Sequence, residues 1–465
     1  SGLTALHYAA RRGDVEIVEL LMEYKANPSI KNDLGRDVLS YCEAFPEIKG
    51  AIERVQRETR QAQGGEKTST TTTKETRPTG TVASTKGTKD FTLQRRLSTA
   101  TDIKYDMYLM SLSKIIKLFG STSDRKKNFD LCHQDLLEKE DLTRYEDLPL
   151  GAFVMFVSHQ WTGFNHPDPN GVHMNCMLSI FCQLRDGKYD VEVDPFHTIL
   201  YKEKCRTSKK EFTQLLSNAY VWYDFWSQPQ PTMTKSPEKA DILKKDLFRA
   251  IESMGAYVER ADCLVIVTPG TVHSDRIDSR SGRKKYVCFR TFRRRGLCVL
   301  EMFAAMCSRR KTHPILLLQS SKTAPKWLSP IEAQNLAVGE SEFTCCERNH
   351  ENNMSCSRNA VKDIMIRLVD KRVACLYESD KTVVLGRMWF VQKQWFLRGF
   401  TTEDLKLEEF KDVKGCKEIL VWDDTLDGEW FDRGGISLLF YGIVLNNTSL
   451  VRLLLNSIKC VTDQT

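Results

Sequence analysis

Ala152-Phe153-Val154-Met155-Phe156-Val157 is an unbroken apolar run that stops on Ser158-His159-Gln160-Trp161. A short run of this kind, without polar alternation, fits a parallel strand covered on both faces. Working outward, Ala219 to Tyr223 reads the same way and ends in Asp224-Phe225-Trp226-Ser227-Gln228-Pro229-Gln230. Cys263 to Val267 ends at Thr268-Pro269-Gly270, and Pro314 to Leu318 makes a fourth strand. Helical spacing fills the intervals. It appears over Met174 to Leu184, then from a Ser236 cap and Pro237 through Leu243, Leu247, Ile251 and Met254, and again over Leu297 to Met306. Strands alternating with helices predict an α/β fold with a doubly wound parallel sheet.

In such sheets the ligand crevice lies outside the carboxyl ends of the strands. Ser158, His159, Trp161, Asp224, Ser227, Gln228 and Thr268 all follow strand ends, so they are expected to converge on one rim. Before the first strand, Ile103, Met107, Met110, Ile115 and Leu118 predict a helix. After the last, Val361, Ile364, Met365 and Leu368 predict a final helical cover on the sheet. The aromatic segment Gly386 to Phe400, with Trp389 and Trp395, is expected to pack between the sheet domain and the C-terminal segment.

The two ends of the chain repeat each other. Gly2-Leu3-Thr4-Ala5-Leu6-His7-Tyr8-Ala9-Ala10 leads through Gly13-Asp14 into Ile17-Val18-Glu19-Leu20-Leu21, and the pattern restarts 33 residues on, at Gly35 with Asp37 and Leu39. Period and wording resemble an ankyrin repeat. Thr4 and His7 can exchange hydrogen bonds with the turn, and Ala9 and Ala10 let paired helices approach closely. Gly435-Ile436-Ser437-Leu438-Leu439, running through Asn446-Asn447 into Leu450-Val451-Arg452-Leu453-Leu454, aligns with Gly2 to Leu21 as a degenerate copy. About three stacked units are needed for stability, and each end has too few. The chain is therefore expected to be a segment of a longer protein, or to complete its arrays by docking on the central domain.

With 41% apolar residues the chain can fill ordinary cores, which excludes wholesale disorder. A net charge of +7 over 465 residues is too dilute for a dedicated nucleic-acid binder, so nucleic acid is an unlikely partner. The odd count of 15 Cys and the absence of a leader before Leu3 point to reduced thiols and a cytoplasmic location. No apolar stretch reaches the ~18 residues of a membrane helix.

The central region also resembles a Toll/interleukin-1 receptor-like (TIR-like) domain. The resemblance rests on a strand ending near an aromatic-rich loop, a strand ending in Asp224, the segment Ala261-Asp262-Cys263-Leu264-Val265-Ile266-Val267-Thr268-Pro269, and Cys298-Val299-Leu300-Glu301. The last piece is similar to the family's Trp-Cys-x-x-Glu-Leu signature, with Leu297 and Met302 at the variant positions. It covers about Gly151 to Gln319. The wording Ser-His-Gln-Trp also resembles uncharacterised ankyrin proteins of protists. The TIR resemblance implies either assembly, including homo-oligomer formation, or cleavage of NAD at the nicotinamide–ribose bond. In the second case NAD is a substrate, Glu301 contacts the ribose and stabilises an oxocarbenium-like transition state, and Trp161 or Trp226 stacks on the nicotinamide. His159 and Asp224 complete the candidate catalytic set; Ser158, Trp161, Trp226, Ser227 and Thr268 form the binding set. Glu301 can equally be a packing residue or pair with Arg294 or Arg295, and His159 can equally hold its loop by hydrogen bonds. The family's usual loop after the first strand is replaced, and about thirty residues are inserted before the second.

The expected organisation is ankyrin repeats over 1–60, a disordered Thr-rich linker over 61–101, and the TIR-like α/β domain over 102–380 with a core at 151–319. A connecting segment over 381–430 and the degenerate ankyrin repeat over 431–465 complete it.

Other chemistry is excluded by inspection. The chain has no phosphate loop, Gly-x-Gly-x-x-Gly, nucleophile elbow or His-Glu-x-x-His. Asp423, Thr425, Asp427 and Gly428 open like a calcium loop, but Gly434 stands where the bidentate Glu is required. Cys345, Cys346, His350 and Cys356 can ligate zinc in principle; their adjacency and spacing favour buried or loop cysteines, so no metal is expected. Asp275 to Arg295 carries nine basic residues against two acidic ones and is expected to be a solvated loop, with attraction of dinucleotide phosphates or an anionic surface as the alternative. Together these features predict a signalling or scaffold protein that binds protein partners through ankyrin surfaces, with an NAD glycohydrolase as the alternative and no cofactor required.

Overall fold

The computed structural model describes residues 4–12, 14–32, 35–41, 46–62, 103–193, 206–278, 281–308, 314–328, 338–347, 356–378, 383–400, 420, 438–444 and 451–456. Nearly all of the Thr-rich linker, residues 401–419, the turn at Asp423 and His350 lie outside them. The chain divides into two compact units, residues 89–372 with 395–401, and residues 1–88, 373–394 and 402–465.

The larger unit is built on a seven-stranded sheet. Its strands are β1 (Tyr108–Ser111), β2 (Thr143–Arg144), β3 (Phe153–His159), β4 (Ala219–Tyr223), β5 (Cys263–Val267), β6 (Ile315–Leu318) and β7 (Lys326–Trp327), in the order β7-β6-β5-β3-β4-β1-β2. The four apolar runs read from the sequence form the parallel centre, with Met155 level with both Val221 and Cys263 and Leu316 level with Val265. The expectation of a wholly parallel sheet is corrected at the edges, because β1, β2 and β7 pair antiparallel and the sheet is mixed. The helix expected over Ile103 to Leu118 is likewise corrected. Met107 to Met110 is consumed by the edge strand β1, and Ser111 then accepts a hydrogen bond from Lys114 N at 3.3 Å to start a helix only at Leu112–Phe119.

Helices cover both faces. Phe153, Met155 and Val157 point into a cluster with Cys176, Met177, Ile180, Phe181 and Leu184 of the helix Val172–Arg185. On the other face Phe156 stacks on Trp222 at 4.1 Å, and Tyr257 of the helix Met254–Arg260 reaches Trp222. The helix Gly296–Cys307 packs beside Met254–Arg260 on that face. The alternation of one strand is therefore split between two cores, as its all-apolar sequence requires. Ser236 caps the helix Pro237–Glu252 as expected.

In the smaller unit the helices Ala5–Arg12 and Val15–Glu23 form the repeat read from the sequence. His7 is buried and spans the turn: its Nδ1 accepts from Thr4 N at 3.2 Å, and its Nε2 donates to the Arg36 carbonyl at 3.2 Å. The degenerate C-terminal copy does not stand apart. Its helix Leu438–Val444 packs on Ala5–Arg12, and Ile443, Val451 and Leu455 share one core with Leu6, Ala9, Ile17 and Ile52. Tyr24 donates a hydrogen bond to Asn456 across the same junction. The helices at the two ends of the chain thus share one core. The aromatic segment is split as well. The helix Val383–Val391 packs on Leu438–Val444, whereas Phe396 packs on Phe303 of the larger unit.

Candidate functional site

Parallel pairing puts Ser158 level with Ile266 and His159 level with Val267, so the carboxyl ends of β3 and β5 finish side by side. In chain order the parallel strands run second, first, third, fourth across the sheet, and the order therefore reverses at β3. A reversal of this kind opens a crevice at the strand ends.

Glu301 approaches that rim from the first turns of Gly296–Cys307. Only 7% of it is exposed, and the Ser158 hydroxyl donates to its Oε2. Burial pushes its carboxyl up to about 8, the Ser158 hydrogen bond opposes the shift, and the charge of Asp224 adds to it. Glu301 is therefore protonated at neutral pH. Arg295 does not pair with it; that guanidinium binds Glu347 at 2.9 Å and Glu342 at 3.5 Å.

Asp224, directly after β4, gathers two neighbours. His159 Nε2 donates to Oδ1 at 2.9 Å, and the Trp161 indole N–H donates to Oδ2. The carboxylate fixes the proton on His159 Nε2, which leaves Nδ1 facing His173 Nδ1 at 3.4 Å. The His159 ring is also stacked on Tyr223 at 4.6 Å, and its side chain is 1% exposed. A ring so enclosed orients Asp224 and Trp161; it has no open face for a substrate. Burial pushes His173 down to about 3, and its Nε2 has no partner among the described residues. Thr268 Oγ1 and Gln228 Oε1 are buried in the same condition. Unpaired buried polar atoms cost about 1–3 kcal/mol each, so a cluster of them marks a place for water or a ligand.

The remaining candidates take different places. Trp161 is half-buried against Phe225 and keeps part of its ring accessible. Trp226 is sunk in the core, 2% exposed and stacked on Phe119 at 4.8 Å. Ser227 is buried and accepts from Tyr223 N at 3.1 Å, a local turn contact. Gln160 turns away and accepts from Thr291 Oγ1 at 2.8 Å.

Two residues that sequence reasoning passed over hold this loop. His133 Nδ1 donates to the Trp226 carbonyl at 2.7 Å, so its Nε2 accepts from the Tyr105 hydroxyl at 2.7 Å. Asp168 takes the Val172 and Met174 N–H groups at 2.9 and 2.8 Å, which fixes the start of the helix bearing His173. A polar residue six positions before the helical run at Met174 was the available signal for Asp168; His133 carried none. The basic segment is a hairpin, Thr271–Ile277 with Lys284–Val287, rather than a loop. Its Arg276 and Lys285 are paired to Glu347 and Glu342.

The ankyrin-repeat family model matches residues 1–33. That is the helix pair at the head of the smaller unit. An ankyrin repeat protein of Acanthamoeba polyphaga mimivirus is similar to this chain, 52% identical over 40 residues, which is 9% of this chain and 10% of that protein. No solved structure matches the chain. Among the described residues no helix is long and apolar enough to cross a membrane.

Proposed function

We propose that the chain is a scaffold or signalling protein that recognises protein partners through its ankyrin unit, with the α/β unit serving as a TIR-like assembly module. The observation that carries this reading is the ankyrin match at residues 1–33, together with the continuous core joining Leu6 and Ala9 to Ile443 and Val451. A stacked repeat array offers an extended surface that binds protein segments without remodelling its core. Ile30 and Leu39 stand exposed on that unit. Peptide-display selection against the full chain should enrich binders that are weakened by Ile30→Glu or Leu39→Glu. Failure to enrich any ankyrin-dependent binder removes the reading.

A second reading is favoured by the Ser158–Glu301 pair at the strand ends, together with the buried Thr268 Oγ1 and His173 Nε2, which have no partner among the described residues. In it the α/β unit hydrolyses NAD. Water oxygen bonds to the ribose C1′ as the C1′–nitrogen bond breaks, nicotinamide leaves neutral, and one proton passes to solvent. Glu301 would hold the ribose hydroxyls and, once ionised, offset the cationic charge on the ring. Ser158 would orient it, Asp224 and Trp161 would line the mouth, and turnover would rise with pH through about 8 as Glu301 ionises. Nicotinamide release by wild type and Glu301→Gln, at concentrations that permit self-assembly, decides it. Loss of ~10²-fold or more in the variant supports it, and a wild type without turnover removes it.

A further inference from the structure

The turn Thr344–Glu347 places two adjacent cysteine side chains so that their sulfurs lie 3.9 Å apart, and Cys356, just before the helix Ser357–Tyr377, brings a third to 3.7 Å from Cys346. All three sulfurs fall within 4.8 Å of one another. None belongs to the Ser158–Glu301 cluster, and the argument does not depend on either reading above.

We propose that Cys345, Cys346 and Cys356 hold one zinc ion through three thiolates. Around zinc with bonds of about 2.3 Å, tetrahedral geometry sets the sulfur-to-sulfur edge at about 3.8 Å, which the two edges at Cys346 match at 3.9 and 3.7 Å, while the Cys345–Cys356 edge lies within 4.8 Å. A disulfide would need about 2.05 Å, and the described cysteines are thiols. Apolar packing does not account for the grouping, because Cys346 and Cys356 are only partly buried. Thr344, the residue before the pair, is held by Arg276 at 3.3 Å and by Arg295. Zinc with three thiolates carries one net negative charge; Arg276 and Arg295 are themselves paired with Glu347 and Glu342, so they brace the turn that carries the cysteines rather than neutralise that charge. Binding releases the thiol protons to solvent, and the fourth corner is open to water or a further ligand. The adjacency that argues against a shared metal in the sequence is overcome by the turn itself. Zinc here ties Thr344–Glu347 to the head of the long helix, which marks the site as structural.

The full chain, purified with reductant and without chelator, should carry about one zinc by elemental analysis, retained in the control Cys182→Ser. In Cys346→Ser and Cys356→Ser the content should fall about tenfold or more. Should a variant fail to fold, the wild type alone still decides: after exchange into Co2+ it must show an intense thiolate-to-cobalt charge-transfer band. Absence of that band, wild-type protein that takes up no zinc on reconstitution, full zinc retention in both variants, or a Cys346–Cys356 disulfide in the freshly purified chain would each overturn the proposal.

Discussion

Around Glu301 the α/β unit buries Ser158, His159, Gln160, His173 and Thr268, whereas the core of the smaller unit, running from Leu6 to Leu455, is aliphatic, with His7 and Asn32 bonded into a turn. The first region spends stability on groups whose value lies in where they point. The second gains stability from the apolar residues it buries, because its helices pack side by side around one core. The partly unsatisfied polar atoms of the one and the saturated apolar packing of the other mark the difference between a region with room for water or a ligand and a region shaped for folding.

Deleting the largest apolar group beneath the rim should have the largest effect. Trp222→Ala removes the partner of Phe156 and Tyr257 and should cost about 3–5 kcal/mol in urea unfolding. A loss below about 1 kcal/mol would mean that the sheet's second core is not as packed as its geometry indicates.

Next, Ile443→Ala opens the junction between the two ends of the chain and should cost about 2–4 kcal/mol. Hydrogen exchange should accelerate in Ala5–Arg12, more than four hundred and thirty residues away in sequence, if the C-terminal helix completes the N-terminal repeat. Unchanged exchange there would separate the two ends again.

His133 tests the polar side of the comparison. Burial pushes it down to about 4, so the fold prefers the neutral ring. Its stabilising share is complete above the unfolded value near 6.5 and drains away as pH falls from there through about 4. His133→Ala should cost about 1–3 kcal/mol at pH 7 by stranding the Trp226 carbonyl, and should flatten the acid limb of a urea-midpoint profile.

The smallest cost of substitution, read at acid pH, is expected at Glu301. Its raised carboxyl makes the folded state hold a proton that the unfolded chain has lost, so stability should decline from about pH 4.5 to about pH 8 and level off above. Glu301→Gln mimics the protonated acid. It should cost about 1 kcal/mol or less at pH 5 and erase the decline, so that the variant gains on the wild type by pH 9. A parallel pair of pH profiles would show that Glu301 ionises as readily in the fold as outside it.

Much of this was legible in the chain. The runs at Phe153, Ala219, Cys263 and Ile315 declared strands because nothing polar interrupts them, and Ser236-Pro237 declared a helix start because cap and fixed φ coincide there. Edge strands were harder. Tyr108–Ser111 carries a spacing that a helix also satisfies, and Thr143–Arg144 is two residues long, so only pairing reveals either. Within the site, the convergence of Ser158, Asp224, Thr268 and Glu301 followed from parallel topology, but burial did not. Trp161 and Trp226 look alike in sequence, and one keeps an accessible edge while the other fills the core beside Phe119.

The sequence by itself determined the elements whose signal is local: apolar runs, caps, and a repeat whose thirty-three-residue period needs no partner to be read. The tertiary structure alone decided the relations between distant segments. It made the C-terminal helix the neighbour of the N-terminal one, raised Glu301 by withdrawing it from water, and set three sulfurs from Cys345, Cys346 and Cys356 within one another's reach. Each depends on the distance and dielectric between groups far apart in the chain, and those are fixed only when the chain has packed.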